Sequence, residues 1–352
     1  MPRLLAVLCI AATLTLTITP VEAQRGRSRV VIGESLVDNK NPEPDQLNTP
    51  FGVDFDAAGN MYLVELAGGR VHKLDTAGVL STIAGDGSKN YTGDGGPAAK
   101  ATFNGMHNIA VTPGGDLYIA DSWNHCVRKI DGKTGTITTI AGTGKAGFAG
   151  DGGPATKAEF NFLMCVSLNT TNDKLYVADL KNSRIRMIDL KTNIVSTVAG
   201  NGKKGVPKDG SLATESPLVD PRAVAVDTNN NIYVLERSGN ALRVVSAEGK
   251  IKTVVGTGKR GTAIGAALET ELGSPKHLAI DASNHVIIAD ETNRRILKYD
   301  PGKEEVQILL GKGANKQPNR GLSKPHGVCV HADGTIYIVD TGHHRILSLK
   351  FR

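Results

Sequence analysis

The chain has 352 residues, of which 22% are charged and 40% hydrophobic, with 41 glycines and a formal net charge of +6. That balance excludes an intrinsically disordered chain. Aromatics at 4% and the absence of any run of five basic residues argue against a nucleic-acid binder built on base stacking.

The N-terminus begins Met1-Pro2-Arg3 and continues through an apolar or small-residue run from Leu4 to Ile18. Val21-Glu22-Ala23 then places small residues at the −3 and −1 positions before Gln24. This is the pattern of a secretory signal peptide over residues 1–23, and the run is short for a membrane span. The expected compartment is therefore extracellular or periplasmic, with no stable membrane span once the signal is cleaved. Cys9 would leave with the signal. Cys126, Cys165 and Cys329 remain, without CxxC or metal spacing, and read as small buried hydrophobes or as one pair and a free thiol.

Residues 24–49 are read as a strand and a linker. Ser28-Arg29-Val30-Val31-Ile32-Gly33 is a short β-rich run ending in glycine. From residue 50 onward one internal repeat dominates. Ile83-Ala84-Gly85, Ile140-Ala141-Gly142, Val198-Ala199-Gly200, Val254-Val255-Gly256 and Leu309-Leu310-Gly311 close successive units, with glycine spacings of 57, 58, 56 and 55.

Each unit holds four β-rich segments separated by turns. The first is apolar, as in Ile109-Ala110-Val111. The second ends in an acid: Glu65, Asp121, Asp179, Glu236, Asp290 and Asp340. The third alternates, as in Arg184-Ile185-Arg186-Met187-Ile188, and the fourth carries the closing glycine. Six such units, repeated radially, predict an all-β fold: a six-bladed β-propeller of four-stranded antiparallel blades. The first two strands should be buried on both faces and the third half-exposed. The sixth unit stops after its third strand, Arg345 to Lys350. The run at 28–33 is expected to supply the missing strand and remove the open sheet edges.

The six acids invite a catalytic reading. Five residues after them stand Arg70, Cys126, Arg184, Ala241, Arg295 and Arg345, so acid–arginine pairing that supports a turn is the expected role. Residues that differ between blades are more informative. At the start of the first strand, facing the channel, stand Phe51, His107, Met164, Arg222, Lys276 and His326. One step along are Gly52, Asn108, Cys165, Ala223, His277 and Gly327. His107, Asn108, Arg222, Lys276, His277 and His326 are the candidate ligand-binding residues of a channel mouth.

The stretch from Tyr118 to Ile130, Tyr-Ile-Ala-Asp-Ser-Trp-Asn-His-Cys-Val-Arg-Lys-Ile, resembles the NHL repeat, as do its counterparts at 176–188 and 337–346. The Gly-Asp-Gly-Gly-Pro-Ala linkers at 93–98 and 150–155 fit the same pattern. The resemblance covers about residues 28–352 and implies the propeller fold. Its glycine-rich linkers could present backbone N–H groups to an anion or Ca²⁺, although turn chemistry is the expectation.

Function follows less directly, because such propellers include binding platforms, lyases and hydrolases. Similarity to peptide-amidating lyases implies zinc held by histidines of alternate blades. Here those blades supply His107, Arg222 and His326, with arginine in place of the third ligand. Similarity to gluconolactonase-like propellers implies calcium on a Glu, Asn and Asp set, of which only Asn108 stands at the ring. The sequence therefore favours a monomeric binding or scaffolding module over an enzyme. Its expected partner is a protein segment, a glycan or a small anionic ligand, with no cofactor. A zinc- or calcium-dependent lyase or hydrolase is the alternative.

Overall fold

The computed structural model describes residues 27–33, 47–311 and 321–351. The signal-peptide assignment at 1–23 and most of the linker after residue 33 lie outside them. The described residues form six four-stranded antiparallel sheets. Blades one to five run through residues 50–84, 106–141, 163–199, 221–255 and 277–311. Blade six combines Pro325–Val330, Ile336–Asp340 and Arg345–Lys350 with the N-terminal strand Arg27–Ile32.

The N-terminal strand closes the ring as its composition predicts. Val30 pairs with Leu347 and Ile32 with Ile346 in antiparallel register. Only Ile32 of that strand is buried, with Val31 partly buried against the same cluster, so the closure rests on backbone hydrogen bonds and a short apolar anchor.

The first strands of successive blades pack around the central axis. Two glycines permit the closest approaches: a Cβ on Gly52 would lie 2.7 Å from Asn108 Cα, and one on Gly327 2.3 Å from the Phe51 carbonyl oxygen. The hydrophobic core lies between neighbouring blades. Phe103 and Phe160, both fully buried, fill equivalent seams, each worth about 1.5–3 kcal/mol of transfer free energy. Burial along the blade departs from the sequence reading in one respect. The third strands are largely buried, as in Ala241–Val245, and the fourth strands carry most of the exposure, as in Leu80–Ala84. Layering of adjacent blades covers the third strand, and the sheet meets solvent at its outer edge.

The six acids are buried, and each ties the incoming linker to its blade. Backbone N–H groups of Asn48, Asn104, Asn161, Val219, Gly273 and Ser323 donate to Glu65, Asp121, Asp179, Glu236, Asp290 and Asp340, at 2.6 to 2.8 Å. The pairing cation is not always the residue expected. In blades five and six Arg295 and Arg345 bind Asp290 and Asp340, five residues away. In blades two to four the cation stands seven residues on: Arg128, Arg186 and Arg243, at 3.5, 3.9 and 2.8 Å from the acid. His72 holds that place in blade one, 3.3 Å from Glu65. The two positions share one face of the third strand, since side chains alternate with period two, so either can reach the acid.

Arg128 and Arg186 also reach Asp94 and Asp151 in the glycine-rich linkers, at 2.9 and 2.7 Å. Those linkers pair with the outer strand of the following blade: Gly95 N–H donates to the Ile137 carbonyl and Gly152 N–H to the Val195 carbonyl. They behave as turn and strap. Cys126, Cys165 and Cys329 are buried free thiols. The described helical residues form only short 3-10 turns, and no helix among the described residues is long and apolar enough to cross a membrane.

Candidate functional site

A repeated backbone device builds the channel mouth. Two residues before each ring position the chain turns through the left-handed region: Thr49, Gly105, Phe162, Asp220, Ser274 and Lys324 have φ of 58°, 69°, 62°, 48°, 49° and 59°. The ring residue then falls on a β-bulge. Register shifts bracket Phe51, His107, Met164, Arg222 and His326, while Lys276 sits just ahead of its strand with its N–H on the Ala289 carbonyl. A bulge re-aims one side chain out of the sheet alternation. The ring is therefore a consequence of five equivalent bulges and of Lys276 at the entry to its strand.

The side chains meet across the axis. Phe51 meets His107 edge-to-face and lies tilted against His326, with ring centroids 4.9 and 4.3 Å apart. Arg222, from the opposite blade, places its guanidinium carbon 5.4 Å from the Phe51 centroid. His107 Nδ1 lies 2.8 Å from the Gly105 carbonyl, an acceptor only, so this nitrogen carries the proton; Ser122 Oγ is 2.9 Å away.

Asn108 and His277 lie one layer deeper. Asn108 Nδ2 donates to His277 Nε2 at 2.8 Å, from opposite blades, and Asn108 Oδ1 accepts the Val166 N–H at 2.9 Å. Cys165 Sγ is 3.8 Å from His277 Nε2. Burial pushes the Cys165 thiol up to about 11 and holds His277 down at about 4. A neutral thiol beside a neutral imidazole makes a polar plug rather than an activated nucleophile.

The ring is electropositive and incompletely satisfied. Arg222 is 3% exposed, yet its Nε and Nη1 find no hydrogen-bond partner. No carboxylate lies within ion-pair distance of it among the described residues. Burial lowers Arg222 to about 9 and, with help from the Arg222 charge, lowers Lys276 to about 8. Burial also holds His107 well below its ordinary range and His326 at about 3, so both are neutral near pH 7. His326 Nδ1 is a third buried atom of the ring without a partner.

The family model described as the NHL repeat matches residues 103–130 and 322–347, in blades two and six. NHL repeat-containing protein 2 of Gallus gallus is 24% identical over 90% of this chain. The chain is an NHL-repeat β-propeller.

This propeller spans 48% of the length of that chicken protein and 39% of its Homo sapiens counterpart, which is 23% identical over 70% of the chain. Solved structures share the fold at low identity. An auxiliary nutrient binding protein from Bacteroides thetaiotaomicron has TM-score 0.67 and 13% identity, covering 93% of this chain and 77% of its own. A gluconolactonase from Xanthomonas campestris has TM-score 0.61 and 11% identity, covering 93% and 90%.

The NHL-repeat register that locates the ring leaves out several rim residues. Glu291, directly after the acid Asp290, brings Oε1 to 4.0 Å from His326 Nε2. Trp123, two residues after Asp121, stands 6.3 Å from the His107 ring, and Phe162 stands 6.1 Å from it. Their signal lay in the same repeat alignment, at the positions after the acid and two before the ring. The zinc set implied by similarity to amidating lyases is not matched. His107 and His326 share the ring with a guanidinium, and among the described residues no group of three or more His, Cys, Asp and Glu could hold a metal ion.

Proposed function

We propose that this propeller is an extracytoplasmic binding module whose channel mouth receives an anionic group of its ligand. The observation that carries the reading is Arg222, a buried guanidinium with two unmade donors and no facing acid. Each unmade buried hydrogen bond costs about 1–3 kcal/mol. The equivalent position is filled by Phe51 and Met164 in other blades, so the fold does not require an arginine there. Lys276 adds a second cation, and an arriving oxyanion would satisfy both. Extracytoplasmic placement rests on the pattern of residues 1–23. The nutrient-binding neighbour shows that the same fold serves capture elsewhere.

The test is a thermal-shift and calorimetry screen of carboxylates, phosphate and acidic glycans against wild type, Arg222→Ala and Lys276→Ala. The expected result is anion binding that either substitution weakens about tenfold or more, the scale of one charge-assisted contact. Affinity unchanged in both variants removes the mouth from the reading. Stoichiometric zinc or calcium on the purified protein, with turnover of a lactone or peptide substrate, would favour the lyase or hydrolase alternative.

A further inference from the structure

The mouth is chemically two-sided. Cations stand on the side of blades four to six: Arg222, Lys276 and the exposed Lys324. On the side of blades two and three stand Trp123 and Phe162, both within about 6 Å of the His107 ring, with the exposed Lys89 reaching over Trp123 from outside, its Nζ 5.9 Å from the indole centroid. Trp123 is 38% exposed although it is the protein's one tryptophan. The equivalent residues in the other blades are Ala67, Lys181, Ser238, Thr292 and Gly342, so blade two alone places a large aromatic there.

The backbone is shaped to keep both aromatics in place. A Cβ on Gly105 would fall 2.4 Å from the Trp123 ring, so the indole lies directly over the glycine backbone. Phe162 takes φ of 62°, a conformation costly for a bulky side chain; Thr49, Asp220, Ser274 and Lys324 fill the same position with small or polar residues, or with lysine. All six blades make this left-handed turn, and blade three alone places an aromatic on it.

We infer that the mouth takes a small amphipathic carboxylate, with its head on Arg222 and Lys276 and a flat apolar body against Trp123 and Phe162. This rests on the anion reading above and adds the chemistry of the rest of the ligand. A carboxylate suits the site better than a dianion, because Glu291 stands at the rim 4.0 Å from His326 and offsets part of the positive field. A planar carboxylate also matches the guanidinium geometrically. Aromatic faces select a flat apolar partner without fixing its identity.

Trp123 is its own reporter. Phenylacetate, acetate, phenylacetamide and inorganic phosphate are titrated against wild type, Arg222→Met, Lys276→Met and Phe162→Ala, following Trp123 emission and heat. Phenylacetate should shift the emission and bind at about millimolar concentration, the range of a fragment of its size. Acetate and phenylacetamide should each bind at least tenfold more weakly. Arg222→Met should abolish the phenylacetate response while leaving the melting temperature equal or higher, since it removes an unpaired buried charge. Phe162→Ala should weaken phenylacetate severalfold without changing acetate. Should acetate or phosphate bind as tightly as phenylacetate, with Phe162→Ala indifferent, the amphipathic ligand is overturned while anion capture stands. If no probe shows binding that depends on Arg222 or Lys276, both fall. Lys276→Met covers the case in which Arg222→Met does not fold.

Discussion

At the scale of residues, the acid in each blade is a load shared between two possible partners. Because the fifth and seventh residues beyond it lie on one strand face, evolution of a blade can move the cation between them. Blade five uses Arg295, and Leu297 holds the other position. Replacing Arg295 by Leu leaves Asp290 buried without its cation and should cost about 3–5 kcal/mol in urea unfolding. Adding Leu297→Arg to that variant should recover most of the loss, as blades two to four already place arginine there. A double variant no more stable than the single one would show that the two positions are not interchangeable.

At the scale of elements, the weak member is the closing strand. Four of its six residues are exposed, and its apolar anchorage is chiefly Ile32, packed with Val53, Leu63 and Ile346, with half-buried Val31 beside it. Ile32→Asp should therefore free the strand and expose the edge of Arg345–Lys350, raising light scattering on concentration, whereas Val30→Thr should be near neutral. Equal behaviour of the two variants would mean that closure depends on the backbone ladder alone. The linkers show the opposite economy: Asp94 and Asp151 bind Arg128 and Arg186, and linker glycines give N–H groups to Ile137 and Val195, all in the next blade, while the Ala98 and Ala155 carbonyls accept from Gly85 and Gly142 at the end of the preceding blade, so one short strap joins two sheets.

At the scale of the whole molecule, the mouth gathers charge from blades four, five and six onto one opening. Lys276 is held down at about 8, first by burial and then by Arg222. Its folded value lies below its unfolded value, so it loses its proton as pH rises through about 8, while the unfolded chain keeps that proton to higher pH. Anion affinity should therefore fall between about pH 7 and 9, and unfolding free energy should rise over and above that interval. In Lys276→Met both trends should shrink, measured by calorimetry and by urea unfolding at each pH. A pH-independent affinity in wild type would take Lys276 out of the site.

Repeats made much of this legible in advance. The acid-ended strands gave the blade number, the missing final strand pointed to the run at 28–33, and an offset ahead of the second strand, longer in blade three, gave the six candidate ring positions. Sequence alone determined these because local period and repeat length are properties of the chain. How the ring residues use the space follows from folding. Bulges turn Phe51 and Arg222 toward each other from opposite blades, and Asn108 meets His277 below them. Glu291, Trp123 and Phe162 reach the rim from loops. Distances between residues more than a hundred positions apart exist only once the circle closes, and with them the unmet donors of Arg222 on which the proposed binding site depends.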